Sequence, residues 1–237
     1  MLLSVPGASL PHATWRPVLV EPELLVVDKG AGLLTVPGRG EGKADCLVSR
    51  LQAAGFPEIQ HVPHRLDRDT SGLVVIGRSP AAHRALATAF QERRVSKRYE
   101  ALCFGWPHAD SGEVDVPIGK VQLPGEVHAR MRVVGIGRDG GRPSLTRWRV
   151  IERLQGSGTR WSRIDLQPVS GRAHQLRLHL QHLGHPILGD ELHGTPEARD
   201  AAERLCLHAA RLEFPHPISK APVVVQSDSG FESILVC

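Results

Sequence analysis

The sequence predicts an α+β fold: one domain built on a large, mostly antiparallel mixed sheet with helices flanking it. Three observations predict it. Short apolar runs alternating with polar residues recur along the chain, each bounded by Gly, Pro or charged turn residues, as antiparallel strands with one wet face should be. Helical spacing is confined to a few short stretches, the clearest at residues 80–92 and from Ser170. Apolar residues make up 41% of the 237 and aromatics 4%, so the core is aliphatic and the chain long enough to bury a sizeable one.

Taken in order, residues 1–16 carry prolines and little periodicity and are expected to form a loose leader, with the domain proper spanning 17–237. Val18-Leu19-Val20 and Leu24-Leu25-Val26-Val27-Asp28 read as strands around a Glu-Pro-Glu turn. Lys29-Gly30-Ala31-Gly32 is a second turn, and Leu33-Leu34-Thr35-Val36 is expected to resume a strand. From Cys46 to Ala54 the apolar spacing predicts a short helix closed by Gly55. Leu73-Val74-Val75-Ile76 is a buried strand, and Pro80 opens the next helix, where its missing N–H is tolerated. Tyr99 to Gly105 and Glu113 to Ile118 alternate as strands. Between them and the next strands, residues 119–144 place Lys120, Arg130, Arg132, Arg138 and Arg142 among many glycines, which predicts a long hairpin with a basic tip. Two strands follow, over 146–154 and 160–169. Ser170 is the expected N-cap of a helix that stops at Gly184, before Pro186. Helical spacing sets Leu176, Leu180 and Leu183 on one face and His174, Arg177 and Gln181 on another. Thr195 caps a short helix, and strands over 205–212 and 221–226 close the sheet.

Chemistry concentrates in one loop. His64-Arg65-Leu66-Asp67-Arg68-Asp69-Thr70-Ser71-Gly72 crowds two carboxylates, two guanidiniums, an imidazole and two hydroxyls between Pro63 and a buried strand. Loops held by a rigid scaffold are where reactive groups tend to sit. A carboxylate there can act as a nucleophile that adds and then leaves. Asp69 reads as a solvated partner for Arg68 or a turn cap. Arg93-Arg94-Val95-Ser96-Lys97-Arg98 is a basic run, and Tyr99 is the only tyrosine.

The formal net charge is +4, compatible with a nucleic-acid partner, although many basic proteins bind none. Four cysteines, none close in sequence, form no metal or redox pair, so a reduced, cytoplasmic protein is expected. No apolar run approaches the ~20 residues that cross a bilayer. His174, His179, His182, His185 and His193 cluster, but their spacing fits no zinc pattern, which weighs against a metal-dependent hydrolase.

The run His64-Arg65-Leu66-Asp67, two residues, then Thr70-Ser71-Gly72 resembles the catalytic motif of the RluA-type pseudouridine synthases. These enzymes isomerise uridine to pseudouridine in folded RNA. The resemblance repeats in order at Lys29 to Gly32 (with Gly30 where proline is usual), Lys97-Arg98-Tyr99, residues 141–146, residues 170–190 and Leu207-His208-Ala209. It implies the pseudouridine synthase fold, with the Asp67 loop and the Arg177 helix meeting at a central catalytic cleft. It further implies Asp67 as nucleophile, Tyr99 as the ring packed on the target uracil, and Arg177 as the cation paired with the aspartate. RNA contacts are expected from Arg65, which would fill the space vacated by the flipped base, and from His64, Lys97, Arg98, Arg142 and Arg172, with His64 also holding the loop. No cofactor or metal is expected, and the protein is expected to act as a monomer without an S4-type RNA-binding domain. Residues 184–204 look most like the member that modifies both 23S ribosomal RNA and the tRNA anticodon loop. A non-catalytic RNA-binding module of the same fold is the alternative, disfavoured because Asp67, Tyr99 and Arg177 are all present.

Overall fold

The computed structural model describes residues 2–5, 14–38, 44–137, 140–156 and 158–231, the first four by their backbone. Arg138, of the predicted basic tip, lies outside the described residues. In chain order the elements are β1 (Leu2–Val5), β2 (Trp15–Val20), β3 (Leu24–Lys29), α1 (Leu47–Ala53), β4 (Ser71–Gly77), α2 (Pro80–Gln91) and β5 (Ser96–Phe104). Then come β6 (Ser111–Asp115), β7 (Ile118–Val121), β8 (Arg130–Val133), β9 (Leu145–Gly156), β10 (Thr159–Pro168), α3 (Gln175–His182), α4 (Pro196–Asp200), β11 (Leu207–Pro215) and β12 (Pro222–Ser227). The α+β class is as predicted. The chain forms two compact units, Met1–Arg98 with Leu207–Cys237, and Tyr99–Cys206. β11 and β12 pair with strands of the first unit; β10 pairs β5 and β9, and β9 pairs β6.

In the first unit, β3 lies antiparallel between β2 and β4. β4 runs parallel to β11, β11 antiparallel to β12, and β12 parallel to β1. The expected loose leader is therefore a strand over Leu2–Val5. Its register on β12, Leu2↔Val224 to Val5↔Ser227, satisfies backbone groups that a free leader would leave to water. β3 and β4 are buried along their whole length, which explains why both read as continuous apolar runs rather than alternating ones. α2 covers one face, setting Leu86 and Ala89 against Leu24, Val26, Leu73, Val75, Leu212 and Phe214. Each such leucine or valine contributes about 1.5–3 kcal/mol by leaving water. The helix starts where it does because Ser79 Oγ accepts the Ala82 N–H at 3.2 Å and Pro80 occupies the first turn.

Leu33 to Val36 do not form the predicted strand. The carbonyls of Leu34 and Thr35 accept the first N–H groups of α1, from Leu47 and Val48, and the Thr35 hydroxyl is taken up by Leu66. These groups are committed to a helix start and a loop, so no ladder remains for them.

Gly72 is required by the parallel pairing. Its φ is +113°, and a Cβ there would lie 2.5 Å from the Ala209 backbone N and O. Gly72→Ala must push β11 off β4 and hold a strained backbone, at about 3–5 kcal/mol. Little soluble protein, or a melting temperature lower by roughly 10 °C, is expected; wild-type melting would refute this account of the motif glycine.

The second unit carries antiparallel strands in the order β5-β10-β9-β6, where only the neighbours β9 and β10 are consecutive in the chain. β7 and β8 form the predicted hairpin, tied to Arg142 through the Ile118 and Arg142 backbones. α3 begins later than predicted. His174, not Ser170, is its N-cap, in a left-handed conformation with φ 56°. Ser170 is used elsewhere: its hydroxyl donates to Gln175 Oε1 and accepts the Leu145 N–H. Gln175 holds this turn shut, taking the Arg172 N–H and donating to the Leu145 carbonyl and Thr146 Oγ1. The two-faced helix expected from spacing is corrected too. Residues Gln175 through Leu180 are all buried, because His179 and Gln175 hydrogen-bond to Thr146 on β9 and so bring polar faces inside. Among the described residues no helix is long and apolar enough to cross a membrane.

Candidate active site

The Asp67 loop is pinned at alternate residues. His64 Nε2 accepts the Val75 N–H at 3.0 Å, and its ring stacks on Phe90 at 4.5 Å. Leu66 is buried, exchanging two hydrogen bonds with Thr35 Oγ1 at 2.8 and 3.2 Å. The Arg68 carbonyl accepts from the Gly32 N–H at 2.9 Å and from Lys29 Nζ at 3.0 Å. The Thr70 N–H closes a turn on the Asp67 carbonyl, and Ser71 Oγ lies 2.9 Å from His208 Nδ1. Between these anchors Arg65 is exposed and Asp67 half-buried. Among the described residues no side chain or backbone N–H hydrogen-bonds the Asp67 carboxylate. A carboxylate held by its backbone and unengaged at its oxygens suits a nucleophile. Asp69, by contrast, pairs with Arg68 at 2.9 Å in the open.

Lys29 is the residue the sequence reading missed. It is fully buried at the end of β3, and its ammonium donates to the carbonyls of Gly30, Leu33 and Arg68 at 2.8 to 3.0 Å. One cation thus ties the first turn to the nucleophile's loop. Burial pushes its pKa down to about 7, against the pull of Asp69, Asp67 and Asp28. The signal in the sequence was a charged pair, Asp28-Lys29, closing an otherwise apolar strand; charges in such a place need partners. Asp28 finds Arg16 at 3.0 Å and Ser227 at 2.7 Å. Lys29→Met takes the ammonium donor from the carbonyls of Gly30 and Leu33 and leaves the Arg68 carbonyl with its bond from Gly32, and is expected to destabilise by about 3 kcal/mol. Loosening of the loop should also slow turnover by about 100-fold. Calorimetry and single-turnover rates check both, and an unchanged rate would show that the loop does not depend on Lys29.

His64 holds the loop in this structure, through the Val75 N–H and the Phe90 ring. Burial, with the nearby Lys97 charge, pushes its pKa down to about 3, so the ring is neutral and carries no charge for phosphate. Its structural role is the one the geometry supports. Lys97 is half-buried, and burial lowers its pKa; Arg98 is exposed.

In the second unit, Tyr99 is half-buried near the start of β5, opposite Leu166 of β10. Arg142 is exposed; Arg172 is half-buried with Nε 3.4 Å from the Pro143 carbonyl. Arg177 does not reach out of the core as its helix spacing suggested. It is 3% exposed, and Nε and a terminal nitrogen both donate to the Asp190 carboxylate, Nε at 2.8 Å. Asp190 also accepts the N–H groups of Leu192 and His193 at 3.0 and 2.9 Å. Burial works against its charge, but Arg177 and His193 outweigh burial and hold its pKa below the usual carboxylate range. Asp190 is thus a second residue the sequence reading passed over, although it ends the 170–190 stretch that carries the resemblance.

The clustered histidines have separate tasks. His174 Nδ1 meets His193 Nε2 at 2.7 Å, His179 binds Thr146 and the Val116 carbonyl, and His185 binds the Phe104 carbonyl. Among the described residues no three His, Cys, Asp or Glu side chains are arranged to hold a metal ion.

A carboxylate offered by a pinned loop at the edge of a buried strand, in this α+β fold, defines a class, and the comparisons bear it out. A family model described as RNA pseudouridylate synthase matches residues 23–182, and the chain belongs to that family: it is an RNA pseudouridine synthase, an isomerase acting on uridine. Within the family it is of the RluA type. It is 41% identical over 211 residues to the dual-specificity RNA pseudouridine synthase RluA of Vibrio parahaemolyticus, covering 88% of this chain and 81% of the relative. It is 38% identical over 208 residues to the protein of the same name from Escherichia coli K12, covering 87% and 90%. The solved structure of human RNA pseudouridylate synthase domain containing 1 superposes with a TM-score of 0.76 at 31% identity, over 94% of this chain and 86% of that one.

Proposed function

We propose that this enzyme isomerises specific uridines in both ribosomal RNA and tRNA stem-loops, with Asp67 as the nucleophile. The observation that carries the assignment is the Asp67 loop itself: its backbone is fastened on either side and its carboxylate is left open. The names of the relatives, dual-specificity synthases at about 40% identity, support the pair of RNA classes.

The reaction breaks the N1–C1′ bond and makes a C5–C1′ bond to the same ring; the proton lost from C5 is balanced by one gained at N1. Asp67 adds to the nucleoside and departs, so the bond change splits into two easier steps. A uridine in a stem-loop is stacked and must be extruded first. Arg65, exposed beside the nucleophile, takes the vacated space, since a guanidinium can stack and bind phosphate at once. Tyr99 packs on the uracil, and the buried Arg177–Asp190 pair fixes the turn after α3, whose Leu192 and His193 N–H groups Asp190 accepts. Lys97, Arg98, Arg142 and Arg172 meet the RNA backbone. The chemistry asks for no cofactor or metal, and we place the protein in the cytoplasm as a monomer.

The test is pseudouridine mapping of total ribosomal RNA and tRNA from cells lacking the protein. Sites should vanish from both RNA classes and return with the wild-type gene. Loss from one class alone would remove dual specificity, and loss from neither would remove the proposal.

A further inference from the structure

The geometry points to a second RNA subsite within the Tyr99–Cys206 unit, a cavity that takes one unstacked nucleobase of the RNA loop other than the uridine that reacts. It rests on the reading of the substrate as a structured RNA. The cavity holds about 530 Å³, within the roughly 300–1,000 Å³ of sites that bind small organic groups. Neither Asp67, Tyr99 nor Arg177 lines it, so the base it takes is not the one being isomerised.

Its construction matches a nucleotide part by part. Met131 of β8, Leu178 of α3 and Leu192 supply apolar contact, and Leu192 is 54% exposed. Gln181 sets a carboxamide at the wall, able both to donate and to accept at a base edge. His174 and His193 stand edge to face at 5.0 Å, locked by their 2.7 Å hydrogen bond, and His193 is anchored through its N–H to Asp190. Rigid rings are what an unstacked base packs on. Lys120, Arg130 and Arg132 line the basic-hairpin side. Glu126 pairs with Arg132 and lies 4.0 Å from Arg130, leaving an excess of positive charge suited to the phosphate that accompanies a base. Apolar walls, an amide and surplus cations together exclude a purely aliphatic ligand and favour a nucleotide.

An abasic scan tests it. Stem-loops carrying a target uridine are made with one abasic residue at each other loop position, and initial rates of pseudouridine formation are measured. With the wild type, one position should raise KM by about 10-fold with kcat held within two-fold, the scale of one lost base contact. Leu192→Ala and Met131→Ala, at positions that are not part of the closed core, should each raise KM on the intact RNA by a similar factor. The abasic residue should then add nothing further in either variant, whereas Lys120→Ala should weaken every RNA alike and lessen the salt dependence. If no position is sensitive, or if abasic and protein effects multiply at every position, the subsite is refuted while the RNA reading stands. If no stem-loop is isomerised at all, both fall together.

Discussion

Asp67→Asn should abolish pseudouridine formation while leaving the fold intact. The loss expected is roughly 10⁴-fold or more in kcat, the scale seen when a covalent nucleophile is removed and only binding remains. The substitution changes no packing: the Asp67 carboxylate is half-exposed, and the loop is carried by hydrogen bonds from Lys29, Gly32, Thr35 and Val75 to its neighbours. Melting temperature and RNA affinity should therefore stay near wild type, which separates lost chemistry from lost structure. Tritium release from C5-labelled RNA reads the rate. Complementation by the Asn variant in the mapping experiment would dismiss Asp67 as nucleophile.

The second large effect is expected at Asp190, where stability and activity should fall together. Asp190→Asn strips the buried Arg177 guanidinium of its charge partner and turns an amide N–H₂ toward groups that are all donors. Breaking a buried pair from one side costs about 3–5 kcal/mol, because the remaining charge stays in a dry environment. For a chain of this length that is a fall of roughly 10–15 °C in Tm. The double variant Arg177→Met with Asp190→Leu removes both charges and should recover much of the stability. If Arg177 serves the reaction, the double variant stays inactive although it folds. Recovery of activity with stability would make the pair purely structural. An Asp190→Asn protein that melts like wild type would refute the ion pair itself.

Most strands and helices were legible because their causes are local. The β-branched run before Gly77, the Ser79-Pro80 helix start, the Thr195 cap and the stop at Gly184 each depend on a few neighbouring residues. The Asp67 motif was legible for the same reason, as a polar loop between Pro63 and a buried strand. What misled were segments whose partners lie far along the chain. Leu33 to Val36 has the composition of a strand, yet its polar groups are spent on α1 and Leu66, up to 31 residues away. Ser170 has the character of an N-cap, but Leu145 and Gln175 claim it first.

The sequence by itself determined the α+β class, the placement of the reactive carboxylate on a loop ahead of a buried strand, and membership of a family that modifies RNA. Periodicity, caps and a long contiguous motif are properties of the chain alone, so they survive without coordinates. Only the tertiary structure decided that Lys29 crosses to the Arg68 carbonyl, that Arg177 belongs to Asp190, and that the histidines divide into separate tasks. A buried charge is stable only beside the partners that compensate its lost water, and those partners are brought to it by folding.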